Sequence, residues 1–386
     1  MTIDMVAVRE LAEGPAGPPV LSVHLRTDPR DPANTAHVPE WLVALRNGLR
    51  DVSRRLEEVG SRDDRLAIRE LRDRVEDDVL SLAPWQRGRG IAWFLSPDGE
   101  VDRRLTLQLA PRRHVVRWDD RPFVSPLVDV ADRGRATGIV LVGGDAVRLL
   151  HWEAGLVDEP ERSLYELELA DWREFSGHGV GSPVGGWSSG SNETAYEQRV
   201  DAWRDRFLRE AATAVGGRVH ELGWDRVVLV SEGQVAGRFA AELPDDVGDR
   251  VVAEVEANLL WEEPAAVSDR LEGTLETAWR QEVTQAATRA AEAAYGGGPG
   301  AVGWGEVLGA LLERRVSHLI VDPDAAPGRG QVNPLVLDAL GRPGPDFLAE
   351  RAVELAVAAD ARVTALDGDD VPALLTGGGV LAELRW

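Results

Sequence analysis

The sequence predicts an α/β protein of three consecutive α/β domains, and three observations carry that expectation. Apolar residues recur at helical and at strand spacing in alternating stretches. Clusters of turn-forming residues separate those stretches. The length, 386 residues, suits two or three domains at roughly 150 residues each. The expected segments are 1–124, 125–262 and 263–386.

In the first segment the apolar run Val20 to Leu25 reads as a strand, closed by the breakers Asp28, Pro29, Asp31 and Pro32. Trp41, Leu45, Leu49, Val52, Leu56 and Val59 fall three and four apart, on one face of a helix. Leu66, Leu71, Val75 and Val79 continue the habit after a break at 60–64. Ile91–Leu95 and Val101–Leu109 read as strands joined by the turn Ser96-Pro97-Asp98-Gly99.

The second segment opens with strands Ile139–Val142 and Val147–Trp152 across a Gly143-Gly144-Asp145 turn, and Leu164–Leu169 completes a meander. Residues 176–191 are too rich in Gly and Ser for regular structure, and loops of that length in a compact domain are usually functional or disordered. Tyr196, Val200, Trp203, Phe207, Ala211 and Val215 then rebuild a helix face, Val227–Val230 is a buried-type strand, and another helix and strand lead to Val255. In the third segment a helix is expected from Ser268, its N-cap, to Ala294, stopped by Gly296-Gly297-Gly298-Pro299-Gly300. Val302–Arg314 and Phe347–Ala358 read as helices, Ser317–Val321 and Arg362–Leu366 as strands, the alternation of an α/β/α sandwich.

Basic residues number 43 against 66 acidic, a net charge of −23, and 44% of the chain is hydrophobic, so it can bury a core. There is no cysteine, and every basic side chain is arginine. These two absences remove disulfides, thiolate nucleophiles, Cys-based zinc sites, the P-loop lysine and Schiff-base chemistry. Arginine-biased codon usage explains the missing lysine, although arginine also grips phosphate with a planar fork that lysine lacks. The amino terminus carries early acids and no long apolar stretch, and nowhere do about 18 apolar residues run together. The expectation is a soluble cytoplasmic protein with no membrane partner.

Gly186-Trp187-Ser188-Ser189-Gly190 matches the G-x-S-x-G nucleophile elbow, but it follows a Gly- and Pro-rich stretch instead of a strand, and only His220 and His318 lie downstream. Gly298-Pro299-Gly300-Ala301-Val302-Gly303 matches the dinucleotide fingerprint, yet it leaves a helix where that motif leaves a strand. The histidines His24, His37, His114, His151, His178, His220 and His318 form no paired ligand motif, so no metal and no cofactor are expected. Asp145 and Asp171 could form an acidic nuclease pair, but they read as a turn residue and a solvated acid. Charge is uneven: residues 87–135 hold ten arginines against seven acids, whereas residues 240–294 hold four against thirteen. An acidic chain repels nucleic acid in general, so DNA is not an expected partner. A local arginine face, with Arg103, Arg104, Arg112 and Arg113 as RNA-contact candidates, can still dock on one structured RNA.

Taken in order, several stretches resemble the bacterial branch of the archaeo-eukaryotic class-one peptide chain release factor and Pelota superfamily. They are Val20-Leu21-Ser22-Val23-His24-Leu25, Arg121-Pro122-Phe123-Val124-Ser125-Pro126-Leu127, Gly185-Gly186-Trp187, Val302-Gly303-Trp304-Gly305-Glu306-Val307-Leu308, Val316-Ser317-His318-Leu319-Ile320-Val321, and the chain end from Gly377 to Trp386. The resemblance implies an RNase H-like middle domain carrying the Gly-rich loop and a last domain like the kink-turn-binding ribosomal proteins. It also implies a monomer acting on the ribosomal A-site, touching rRNA and P-site tRNA. Gly185, Gly186 and Trp187 would then sit at the peptidyl-transferase centre or the tRNA.

Release factors of that family hydrolyse peptidyl-tRNA with a Gly-Gly-Gln loop, whose glutamine helps place water beside the ester. Here Trp187 follows Gly185-Gly186, and no Gly-Gly-Gln occurs in the sequence. Trp187 cannot present that amide, but it can stack on a base or ribose. The departure argues against ordinary stop-codon termination and leaves ribosome rescue, hibernation or non-standard peptide release. If the protein is an enzyme, its reaction is peptidyl-tRNA ester hydrolysis. Two other classes stay open: a serine hydrolase using Ser188, and a protein-interaction scaffold that kept the fold.

Overall fold

The computed structural model describes residues 5–13, 17–167, 189–233, 235–328, 330–341, 344, 347–366 and 371–386. The chain divides into two compact units, Met1–Gly134 with Trp279–Trp386, and Arg135–Ala278.

After α1 (Met5–Glu13), strand β1 (Val20–Arg26) becomes the centre of an antiparallel sheet, ordered β3-β2-β1-β4, with β2 (Gly90–Leu95), β3 (Asp102–Leu107) and β4 (Val115–Asp119). Helices α2 (Glu40–Val59) and α3 (Arg62–Ser81) connect β1 to β2. Ser61 caps α3: its Oγ accepts from Asp64 N at 3.0 Å while the Asp64 carboxylate accepts from Ser61 N. Strand alternation sorts the run Val20 to Leu25 into two faces. Leu21, Val23 and Leu25 pack with Trp41, Leu45, Leu49, Leu71 and Val75 of the two helices, as the helical spacing predicts. Val20, Ala92 and Phe94 face the other way, into a core shared with α4 (Ser125–Arg133) and the last part of the chain.

Within Arg135–Ala278, β5 (Thr137–Val142), β6 (Ala146–Glu153), β7 (Leu156–Asp158) and β8 (Leu164–Glu166) are antiparallel, with β6 pairing the other three. α5 (Ser189–Glu221) leads to β9 (Arg226–Ser231), parallel to β5, and α6 (Val235–Glu242) leads to β10 (Val251–Glu256), parallel to β9. The sheet order is β10-β9-β5-β6-β7. β5 and β9 are buried along their whole length, which accounts for their continuous apolar runs. Val140, Val142, Val227 and Leu229 are covered by Phe207, Ala212 and Val215 of α5 and Phe239 of α6. Gly138 leaves room for Trp224, since a Cβ there would lie 2.0 Å from the indole ring. Trp224 Nε1 donates to His151 Nδ1 at 2.7 Å, so the buried indole has its partner.

The next helix, α7 (Pro264–Tyr295), begins four residues before the expected start. Pro264 initiates it, its fixed φ suiting a first turn and its missing N–H leaving no unpaired donor there. Ser268 is therefore not the N-cap; it lies inside the helix and is buried. The Gly run does stop α7, with Gly296 N bonded to Glu292 O at 2.9 Å, Gly298 N to Ala293 O at 2.7 Å, and Gly297 at φ +73°. β11 (Gly300–Val302), α8 (Trp304–Leu312), β12 (Val316–Val321), α9 (Leu348–Ala358), β13 (Arg362–Ala365) and β14 (Val380–Leu384) complete the chain, with the sheet ordered β11-β14-β12-β13. Val302, expected in a helix, pairs with Leu381 as a strand, and the helix starts only after Gly303, at φ +85°. Val307 and Val353 pack with Leu319 on one side of this sheet, and Trp279, Val283 and Ala287 of α7 pack with Ile320 and Leu381 on the other. The result is the α/β/α layering expected from the sequence. Among the described residues no helix is long and apolar enough to cross a membrane.

Gly138→Ala should lower stability by about 1–3 kcal/mol, because a methyl group would overlap Trp224. Gly217→Ala, in α5 with open space around it, should raise stability by about 0.5–1 kcal/mol. Urea titrations of both variants check the pair.

Candidate functional site

The loop residues Gly185, Gly186 and Trp187, and Ser188 of the elbow motif, lie outside the described residues. Both of the loop's attachments are described. Leu167 N, just after β8, donates to Asp145 O at 2.9 Å, fastening the outgoing chain to the β5–β6 turn. The chain returns as α5, whose Arg204 Nε lies 3.6 Å from the Cβ position of Gly144 in the same turn. Leu167 and Arg204, on the described chain either side of the loop residues, thus both lie at the turn Gly143-Gly144-Asp145. Residues 202–206 of α5 are exposed or half-buried, and the helix reaches the core at Phe207.

The four candidate arginines do not form one face. Arg103 and Arg104 are neighbours on β3, so the pleat sends them to opposite sides. Arg104 pairs in register with Trp93 and lays its guanidinium 5.7 Å from the centre of that ring, whereas Arg103 pairs with Phe94 and lies 3.9 Å from Glu10. Arg112 donates from Nε to Asp129 at 3.0 Å and stacks 4.5 Å from the Trp279 ring, which commits its charge to the interior. Arg113 is paired with Asp324 and remains half-exposed. Arg112 and Arg113 do meet at one cleft of about 220 Å³, with Phe123, Ser125 and Asp322 among its walls.

Sequence reasoning overlooked Trp85. It stands 78% exposed on the helical turn Pro84–Arg87, and that turn is tied to the edge strand β3 by Thr106 Oγ1 donating to Gln86 O at 2.9 Å. A tryptophan between prolyl and arginyl residues, Pro84-Trp85-Gln86-Arg87-Gly88-Arg89, was the available signal. An exposed indole among arginines is the pairing that single-stranded RNA sites use.

The densest set of interior charges surrounds α4. Phe123, just before it, is held at both backbone atoms by β1: its N donates to Ser22 Oγ at 2.9 Å, and its O accepts from His24 Nε2 at 2.8 Å. Burial pushes the His24 imidazole down to about 4, so it is neutral at physiological pH. Glu350, on α9, caps α4 from across the core, its carboxyl accepting from Val124 N, from Ser125 N at 3.2 Å and from Ser125 Oγ. Burial raises Glu350 to about 7, opposed by the hydrogen bond from Ser125 and assisted by nearby Glu354. Asp132 accepts from Trp279 Nε1 at 2.8 Å, Thr364 Oγ1 at 2.8 Å and Arg362 Nε at 2.7 Å. Each of these groups is bonded to α4 or to the two residues before it, and so positions that helix.

The remaining motifs are structural. His318 Nε2 bonds to Thr364 Oγ1 at 2.8 Å, and burial lowers its pKa. His220 is exposed and paired with Asp246 at 2.9 Å. The glycines at 298, 300 and 303 close α7 and turn the chain through β11 into α8; a Cβ on Gly300 would lie 2.2 Å from Ala290 O. Asp145 sits in the β5–β6 turn, while His178 and Asp171 lie outside the described residues. Among the described residues no group of three or more His, Cys, Asp or Glu could hold a metal ion.

The family model of bacterial archaeo-eukaryotic release factor family 10 matches residues 122–292. That stretch begins one residue before Phe123 and includes Gly185-Gly186-Trp187. Among curated proteins none matches the chain. Similar solved structures include an archaeal translation termination factor, 17% identical, covering 100% of this chain and 99% of that one with a TM-score of 0.25. They also include the Pelota of Archaeoglobus fulgidus, 12% identical, covering 74% of this chain and 85% of that one with a TM-score of 0.32. A third is a chain from a model of ribosome-bound archaeal Pelota and ABCE1, 9% identical, covering 100% and 95% with a TM-score of 0.40. The family match shows that residues 122–292 are similar to bacterial archaeo-eukaryotic release factor family 10.

Between its ordinary value of 4.5 and its folded value of about 7, Glu350 holds a proton in the folded chain that the unfolded chain has released. Its contribution to stability therefore falls as pH rises through that window and is constant above it. Glu350→Gln keeps the cap geometry and removes the titration. The wild type should lose about 2 kcal/mol between pH 5 and 7 relative to the variant, read from urea melts across that range.

Proposed function

We propose, from a middle segment that matches the bacterial archaeo-eukaryotic release factors, that this protein is a ribosome-associated translation factor that occupies the A-site without termination chemistry. The observation that carries the reading is the family match over residues 122–292, which contains a Gly-Gly loop lacking the glutamine. The sheet order β10-β9-β5-β6-β7, three antiparallel strands followed by two parallel ones, supports an RNase H-like middle domain. The layered last sheet supports a domain like the kink-turn-binding ribosomal proteins. The reading keeps the segments 1–124, 125–262 and 263–386, each of which contains one sheet, while α4 at the start of the second packs with the first and last sheets.

In this reading Gly185 and Gly186 let the backbone approach RNA closely, and Trp187 stacks on a base or ribose of the P-site tRNA or the peptidyl-transferase centre. Trp85 gives the first segment a second stacking surface. Arg103 and Arg113, whose side chains are exposed, supply phosphate contacts, whereas Arg112 acts through Asp129. Without the glutamine amide the loop does not place water on the ester, and the factor acts by occupancy, in rescue or protection of ribosomes that are not translating.

The test is co-sedimentation with bacterial 70S ribosomes at low and near-physiological salt, followed by a peptidyl-tRNA release assay. Saturable, roughly one-to-one pelleting that survives the higher salt, with no release of peptide, is expected. Trp187→Ala should weaken binding about tenfold, the scale of a single base-stacking interaction. Replacing Arg103 and Arg113 with alanine should flatten the salt slope by about one for each phosphate that is no longer neutralised. Absent pelleting, or pelleting that disappears with salt, would sink the ribosome reading.

A further inference from the structure

The unit Arg135–Ala278 holds 13 arginines against 28 acids, so it accounts for −15 of the chain's −23. On this acidic unit a crevice of about 350 Å³ opens at the carboxyl ends of the parallel strands β5, β9 and β10, where open α/β sheets characteristically take ligands. Its walls include Gly143, Asp145, Glu232, Asn258 and Trp261.

Trp261 is 65% exposed, and Asp145 and Glu232 are exposed beside it. The segment bearing Trp261 is nevertheless held firmly. Arg148 Nη1 donates to Leu260 O at 3.1 Å and to Glu262 O at 2.7 Å, and the charge of Arg148 is answered by Glu159 at 2.7 Å. Gly143 packs so closely beneath that a Cβ there would lie 2.8 Å from Leu260 Cδ2. A large apolar ring is thus fixed in solvent next to two carboxylates, with no described arginine of this chain stacked on it.

Elsewhere the same chain shows what such a ring accepts. Arg87 lies 4.9 Å from the Trp41 ring centre, Arg104 lies 5.7 Å from Trp93, and Arg112 lies 4.5 Å from Trp279 while bonded to Asp129. The last of these is a guanidinium held between an indole face and a carboxylate. We infer that the crevice is a receptor for an arginine-rich peptide segment of a partner protein, in which Trp261 stacks on one guanidinium and Asp145 and Glu232 accept its hydrogen bonds. The surrounding acids Glu254, Glu256, Glu262 and Glu263, all exposed, favour the approach of a cationic segment and oppose nucleic acid. Arginine is preferred to lysine because the planar fork can stack and bond at once. The inference stands apart from the ribosome reading and neither needs it nor supports it.

Fluorescence anisotropy with labelled oligoarginine, oligolysine and single-stranded oligouridine, using the full chain, tests it. Oligoarginine should bind about tenfold tighter than oligolysine of equal length, and oligouridine should not compete. Trp261→Ala should weaken oligoarginine about tenfold and abolish the preference over lysine, while Trp261→Phe should retain part of it. Asp145→Asn with Glu232→Gln should weaken oligoarginine more than Glu57→Gln with Glu58→Gln, an equal loss of exposed charge in the other unit. Trp261, Asp145 and Glu232 are exposed, so circular dichroism and melting should match the wild type. Equal affinity for the two peptides, a Trp261→Ala variant that binds like the wild type, or oligouridine binding that depends on Trp261 would overturn the inference.

Discussion

The Asp132 carboxylate, 3% exposed in its side chain, accepts hydrogen bonds from an indole, a hydroxyl and a guanidinium that lie far from it in the sequence: Trp279, Thr364 and Arg362. A buried carboxylate is tolerable only when its lone pairs are answered, and removing one partner of such a pair typically costs about 3–5 kcal/mol. One turn earlier on the same helix, Asp129 is answered by Arg112 and Arg133. At the helix start, Glu350 supplies the cap and β1 grips Phe123 through Ser22 and His24. Nearly every residue of Ser125–Arg133 is buried, so this short helix is where the first sheet and the last sheet are joined into one unit from opposite ends of the chain.

That arrangement separates two kinds of charge. Around α4 the charged groups are interior, mutually bonded and positional, and they absorb Arg112, which the sequence offered as an RNA contact. On Arg135–Ala278 the charge is on the surface and strongly negative. Any RNA contact by this protein must therefore be local, made by a few exposed arginines and aromatic rings, because the field of the whole molecule opposes it. A stacking contact of the kind proposed for Trp187 would meet that requirement without a cation.

The parts of the fold that could be read from the sequence are those in which local pattern and tertiary environment agree. The face Trp41, Leu45, Leu49 and Leu56 formed as the spacing predicts, as did β2, β3 and the turn at Gly99. β4 and β7 were missed because Val115–Asp119 and Leu156–Asp158 are short, half-exposed strands without an apolar run. Ser268 misled because a serine before an apolar stretch looks like a cap, whereas Pro264 had already started the helix. The functional residues were harder to read. The spread of Arg103 and Arg104 to opposite faces follows from strand pairing, which charge counts do not see. Trp261 looks like an ordinary core tryptophan until burial shows it in solvent, whereas Trp85 had only its proline and arginine neighbours to mark it.

Native-state hydrogen exchange across a denaturant series, on the intact chain, tests the central claim that α4 and its buried acids make one cooperative body of the two chain ends. Amides of β1, such as Val23, and of β12, such as Leu319, should converge on one opening free energy and one denaturant dependence. In Asp132→Asn both should shift together, while β5 and β9 amides hold their own value. If β1 and β12 open with different free energies in the wild type, or if Asp132→Asn loosens β12 alone, the ends are separate bodies and the account is wrong.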